Sequence, residues 1–126
     1  MDTLKVGDTV TAIYKTGKYI GEVTDIRPEH YLVKILAVIK HPMQGDLHHP
    51  KDAAVPFFHE RRALAFREQT NVPKKMVKVF HEEVPDYEGS LKAAIQVLKE
   101  ELKSDSSDWA QQSLNNINQL EQDYFG

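Results

Sequence analysis

The 126-residue chain contains no cysteine. Disulfides, thiolate nucleophiles and cysteine-ligated metals are thereby excluded together. Serine is missing from the first 80 residues. The five that exist, at 90, 104, 106, 107 and 113, fall in a helix-patterned region where capping and solvent-facing roles are the ordinary ones, and none lies in a nucleophile elbow. No hydrophobic run approaches the ~20 residues of a membrane span. The opening residues, MDTLKVGD, have no apolar core of a secretory signal, so the expectation is a cytoplasmic protein. Positive charge is not in surplus either. Sixteen Lys and Arg stand against 19 Asp and Glu, with a pI near 6.0, which argues against bulk nucleic-acid binding and leaves only a local basic patch.

What is present divides near Val84. Before it, apolar residues alternate two by two between Gly and Pro punctuation; after it, they recur every three or four residues. The charge changes sign at the same place: +4 over residues 1–80 and −7 over residues 81–126, which together give the net −3. The first part reads as short strands at 9–14, 19–26 and 31–39, with residues 15–18 as a turn whose Gly17 can take φ > 0 at no steric cost. Three prolines and a glycine between 41 and 56 (Pro42, Gly45, Pro50 and Pro56) leave no room for a ladder there. Strand pairing is expected to resume over 57–70 and to end, after a 3₁₀ segment, in a strand at 76–80. Helix competes for 60–68, whose residues are good helix formers. Tyr14 and Tyr31 read as core.

The second part reads as two helices of about 17 residues, each about 25 Å long. Pro85 suits the first turn of one, with Asp86 and Glu88 at its positive end. Tyr87, Leu91, Ile95, Leu98 and Leu102 make one apolar stripe; Trp109, Ile117, Leu120 and Tyr124 make another. Residues 104–108 supply the stop and the next N-cap. Such a hairpin cannot cover both stripes alone, so it must dock on the sheet, on a second copy in a homodimer, or on a partner.

Candidate chemistry is sparse. His41, His48, His49 and His59 fall within 19 residues, but adjacent histidines rarely share one ion and no thiolate can assist. His59-Glu60 starts like a metalloprotease helix, yet Ala63 occupies the place of the second histidine. No metal or cofactor is expected, and no catalytic residue. Gly17-Lys18 lacks the upstream glycine of a phosphate loop. Tyr19, with Phe57 or Phe58, is open between core and an aromatic recess for a ligand. Arg61, Arg62, Arg67, Lys74, Lys75 and Lys78 form the one basic cluster, a solvated face, a dock for the acidic hairpin, or a surface for an acidic partner or RNA.

Three stretches go beyond pattern: residues 10–22 (VTAIYKTGKYIGE), 41–48 (HPMQGDLH) and 56–73 (PFFHERRALAFREQTNVP). They resemble the kinase-associated protein B family of endospore-forming bacilli, also called kinase-associated lipoprotein B, and the likeness runs through the helical tail. The resemblance implies an SH3-like β-barrel followed by helices, and a non-enzymatic accessory factor needed for activity of a membrane sensor histidine kinase that feeds the sporulation phosphorelay. It brings no catalytic residues. Lipid attachment would need a cysteine, so membrane association is expected only indirectly, through the kinase.

The combined expectation is an α+β protein, an SH3-like barrel of about five strands over 1–80 and an antiparallel helical hairpin over 81–126. The partner surface is placed on Tyr19, His48, His49, Phe58, His59, Glu60, Arg61 and Arg62. The rival reading is an RNA-binding SH3-like module using Arg61, Arg62, Lys74 and Lys75.

Overall fold

The computed structural model describes residues 3–45, 51–54 and 58–126. Strands β1 (Thr9–Tyr14), β2 (Gly17–Ile26) and β3 (His30–Lys40) lead to β4 (Gln69–Pro73), a 3₁₀ turn (Lys74–Met76) and β5 (Val77–Val79). Helices α1 (Tyr87–Lys103) and α2 (Asp108–Phe125) follow. The sheet order is β4-β3-β2-β1-β5 and every pairing is antiparallel. The register between β2 and β3 shifts at three places, and such irregularities bend strands and raise their twist. The bending brings β1 against β4, three places away in the order, so the sheet curls into a small barrel-like form.

The β1–β2 turn is tighter than the sequence suggests. Tyr14 pairs with Gly17, leaving Lys15 and Thr16 as the loop, and Lys15 rather than Gly17 takes the left-handed conformation, at φ 54°. Gly17 is needed for space instead: a Cβ there would lie 2.5 Å from the Tyr19 hydroxyl oxygen. Gly21, in mid-β2, is under the same constraint from backbone, since its Cβ would meet the Lys34 carbonyl oxygen at 2.6 Å.

The expected strand over 57–70 is where the sequence misleads. Residue 57 lies outside the described residues, residues 58–65 run outside any ladder, and the strand begins only at Gln69. A turn at residues 65–68, closed by Glu68 N to Ala65 O, precedes it, with Arg67 at φ 69°. The 3₁₀ turn and a short last strand appear as expected, with β5 three residues long.

Both helices begin on a side-chain cap. Asp86 accepts from Gly89 N and Ser107 from Ala110 N, each cap worth about 1 kcal/mol. Pro85 stands before the cap, not inside the first turn, because Asp86 must keep extended dihedrals to bond Gly89. The α1 stripe buries Leu91, Ala94, Ile95, Leu98 and Leu102; the α2 stripe buries Trp109, Ala110, Ser113, Ile117 and Leu120. They cover each other and the sheet: Leu91, Ile95 and Ile117 join Val10, Val33 and Ile35 in a single core. The Ser90 hydroxyl accepts from Val38 N at 3.0 Å and ties α1 to the end of β3. Tyr14 is half-buried and packed on this core, and Tyr31 is buried in it, as expected.

Substituting Gly21→Ala should destabilise by about 2–3 kcal/mol through overpacking against backbone that cannot yield, read as a lower denaturation midpoint in urea with an unchanged slope.

Candidate partner-binding site

Residues 59–65 cross from the sheet to the helix ends with no neighbouring strand, so their backbone groups must find other partners. Gln44 supplies the first. Its Oε1 accepts from Arg61 N at 2.8 Å and its Nε2 donates to Arg61 O at 2.9 Å. One buried amide side chain thus imitates a strand residue. Gly45 N donates to His59 O, and the Arg61 guanidinium Nε donates to Gly45 O at 3.0 Å.

Tyrosine hydroxyls supply the rest, each from a different element. Tyr124, at the end of α2, accepts from Ala63 N at 2.9 Å; Tyr19, in β2, accepts from Leu64 N at 3.2 Å; Tyr87, at the start of α1, donates to Leu64 O. Burial pushes Tyr19 and Tyr87 up to about 12, and Tyr124 upward as well. All three therefore stay protonated near neutral pH and keep their hydrogen-bonding roles.

The Tyr124 hydroxyl also meets His41 Nε2 at 3.0 Å, while His41 Nδ1 lies 3.0 Å from Pro42 O. A carbonyl can only accept, so Nδ1 carries the proton and Nε2 accepts from Tyr124. The relay runs Ala63 N–H to Tyr124 O–H to His41. Burial lowers the His41 pKa below its ordinary value, the contact with Pro42 opposing this in part.

The sequence-proposed surface is only partly assembled. Gln44, Gly45, His59 and Arg61 do join the loop after β3 to the 59–62 edge. His59 and Glu60 are exposed, and Arg62 reaches Asp123 of α2 at 2.7 Å and Glu60 at 3.9 Å. His48 and His49 lie outside the described residues, as does Phe57. Tyr19 is a correction: it is 1 % exposed and belongs to the core, held there by the Leu64 bond and the room Gly17 leaves. Phe58 is half-buried against the core beneath Gly45. His41, offered as one of a histidine group, is buried in the relay. Among the described residues no group of three or more His, Asp or Glu could hold a metal.

The basic cluster divides. Arg61 is spent on Gly45 beyond the end of β3, whereas Lys74 bonds Glu29 O and lies over Tyr31 at the opposite end of that strand. The sequence reading missed Gln44, Tyr87 and Tyr124 as the groups that hold the strap, residues 59–65. Their signal was available: tyrosines at the outer ends of two helical stripes are placed to present hydroxyls beyond the core.

Two hollows flank the strap. One of about 640 Å³ lies between residues 62–68 and the outer ends of α1 and α2; another of about 320 Å³ lies toward the β1–β2 turn and Pro42. No described helix is long and apolar enough to cross a membrane.

A family model described as "Kinase associated protein B" matches residues 14–125. Kinase-associated lipoprotein B of Bacillus subtilis (strain 168) is 57% identical over 125 residues, 99% of this chain and 98% of that one. The crystal structure of kinase-associated protein B from Bacillus cereus superposes with a TM-score of 0.86 at 52% identity, covering 97% of this chain and 98% of the other.

Two outcomes are expected. Tyr124→Phe should cost about 1–3 kcal/mol, since Ala63 N and His41 Nε2 both lose their partner. His41 titrates below its unfolded value, so the unfolded chain takes up the proton first: stability is full above about pH 6.5 and is lost as pH falls from there toward the folded pKa. Thermal melts at pH 7.5 and 5.5 should show a larger drop for the wild type than for His41→Gln.

Proposed function

Since this chain belongs to the kinase-associated protein B family, we propose that it is a non-enzymatic accessory protein that binds a sensor histidine kinase and is needed for that kinase's activity in the phosphorelay that starts sporulation. The observation that carries the reading is coverage. Likeness to proteins named for kinase association extends over sheet, strap and hairpin together, not over one fragment. The physical support is the 59–62 edge, which the fold holds rigidly by Gln44 and Gly45 while leaving His59, Glu60 and Arg62 facing outward. A preorganised polar edge of this kind loses little entropy on meeting a partner. Membrane proximity, in this reading, comes through the kinase.

Arg62 is the informative residue on that edge. Its ion pairs with Asp123 and Glu60 are half-exposed, and such pairs add only about 0–1 kcal/mol to stability. Arg61 is a poor probe because its guanidinium braces Gly45.

In a reconstituted autophosphorylation assay, adding the protein should raise the kinase's phosphate incorporation. Arg62→Glu should weaken binding roughly 10-fold, as loss of an interface arginine does, with little change in melting temperature. No effect of the wild-type protein on the kinase would end the proposal. Gel shifts at physiological salt should show nothing tighter than the roughly micromolar range of non-specific nucleic-acid contacts.

A further inference from the structure

The larger hollow begins at Arg62, where the 59–62 edge ends, and runs along residues 63–68 to the outer ends of the helices. Ala63 and Leu64 of the strap form one wall; Tyr87 and Leu91 of α1 and Phe125 of α2 form the other. It continues into a second hollow of about 570 Å³, which shares Phe66 and Tyr87 and adds Leu36, Val84 and Pro85. Phe66 stands at the junction, 54 % exposed, with its ring 5.8 Å from that of Tyr87. The turn that carries it out of the core has Arg67 at φ 69°, a conformation costing a non-glycine residue about 1–2 kcal/mol. An aromatic ring left in water by a strained turn, over an apolar trough, is an anchor without its counterpart.

The rim says what that counterpart is. Glu68, Asp86 and Glu88 line the two hollows against Arg62 alone, a balance of −2. Arg62 is already matched by Asp123 at 2.7 Å and Glu88 by Lys92 at 3.4 Å, which leaves the carboxylates of Glu68 and Asp86 to set the sign of the rim. The strap backbone adds a second requirement. Among the described residues, neither the amide nor the carbonyl of Arg62 has a hydrogen bond, and in extended chain both groups of one residue point the same way, as a β partner needs. We infer that this groove takes an extended peptide segment of a partner protein, with an apolar or aromatic residue seated against Phe66 and Tyr87 and basic residues beside the carboxylate rim. The proposal names the docking chemistry of the partner in the reading above and rests on it for the partner's identity, not for the segment's character.

The test separates the two. The probe is the peptide acetyl-Arg-Ile-Phe-Val-Lys-amide, with a control in which Glu replaces Arg and Lys, titrated into ¹⁵N-labelled full-length protein. The basic peptide should shift the amides of residues 62–66, Tyr87 and Leu91; the acidic one should bind at least 10-fold more weakly. Phe66→Asp, at a position exposed enough to leave the fold intact by thermal melt, should abolish the shifts. Absent shifts, shifts elsewhere, or equal response to the acidic peptide would overturn the proposal. Sedimentation showing a wild-type dimer that Phe66→Asp dissolves would also overturn it, by assigning the groove to a second copy. In the kinase assay, Phe66→Asp should lower binding at least 10-fold. Undiminished binding there would sink the groove and leave the kinase reading standing, whereas failure of the wild-type protein to bind with peptide shifts intact would do the reverse.

Discussion

A length of extended chain without a neighbouring strand is held in place by side chains, and the rest of the structure is arranged around that fact. Arg61, Ala63 and Leu64 are buried or half-buried residues whose backbone groups have no ladder to join. Leaving one such group unpaired costs about 1–3 kcal/mol, so several together would be a large fraction of the stability of a domain this size. Gln44 and the hydroxyls of Tyr19, Tyr87 and Tyr124 meet the need. The three tyrosines come from β2, α1 and α2, so the strap is also the place where sheet and hairpin are bonded to a common element.

This accounts for the docking of the hairpin more fully than apolar burial does. Leu91, Ile95, Ile117 and Leu120 supply the driving force, yet greasy stripes alone tolerate sliding along a sheet. Directional bonds from Tyr87 at one end of α1 and Tyr124 at one end of α2 fix the register of both helices against the strap. The Ser90 hydroxyl on Val38 N and the Lys99–Glu121 pair between the helices add to that alignment. An acidic hairpin joined to a basic sheet module is consistent with the same picture, although the ion pair that crosses among the described residues, Arg62 with Asp123, is half-exposed and modest.

Much of this was legible in the sequence, for identifiable reasons. The three long strands announced themselves through alternation, and the helices through stripes that the structure buries almost residue for residue. Family likeness, carried by residues 10–22, 41–48 and 56–73, was legible too. The strap was not. Its alternating residues have the composition of a strand, and alternation records which side chains are buried, not what the backbone bonds to. Only the third dimension shows that hydroxyls replace a ladder there. Gly17 misled in the same way, because a glycine in a turn suggests backbone freedom when here it leaves room for the Tyr19 ring. As for the candidate surface, Arg61 and Arg62 are neighbours in sequence with different duties, one internal and one outward, which no one-dimensional pattern separates.

The chain's single tryptophan has a consequence of its own. Trp109 is buried at the start of α2, and its indole N–H donates to the backbone carbonyl of Gln44, the residue whose side chain grips Arg61. Indole emission is sensitive to polarity and hydrogen bonding, so the protein carries an intrinsic fluorophore one residue removed from the grip. Any event that loosens that grip alters the colour or yield of its light, and does so without a label.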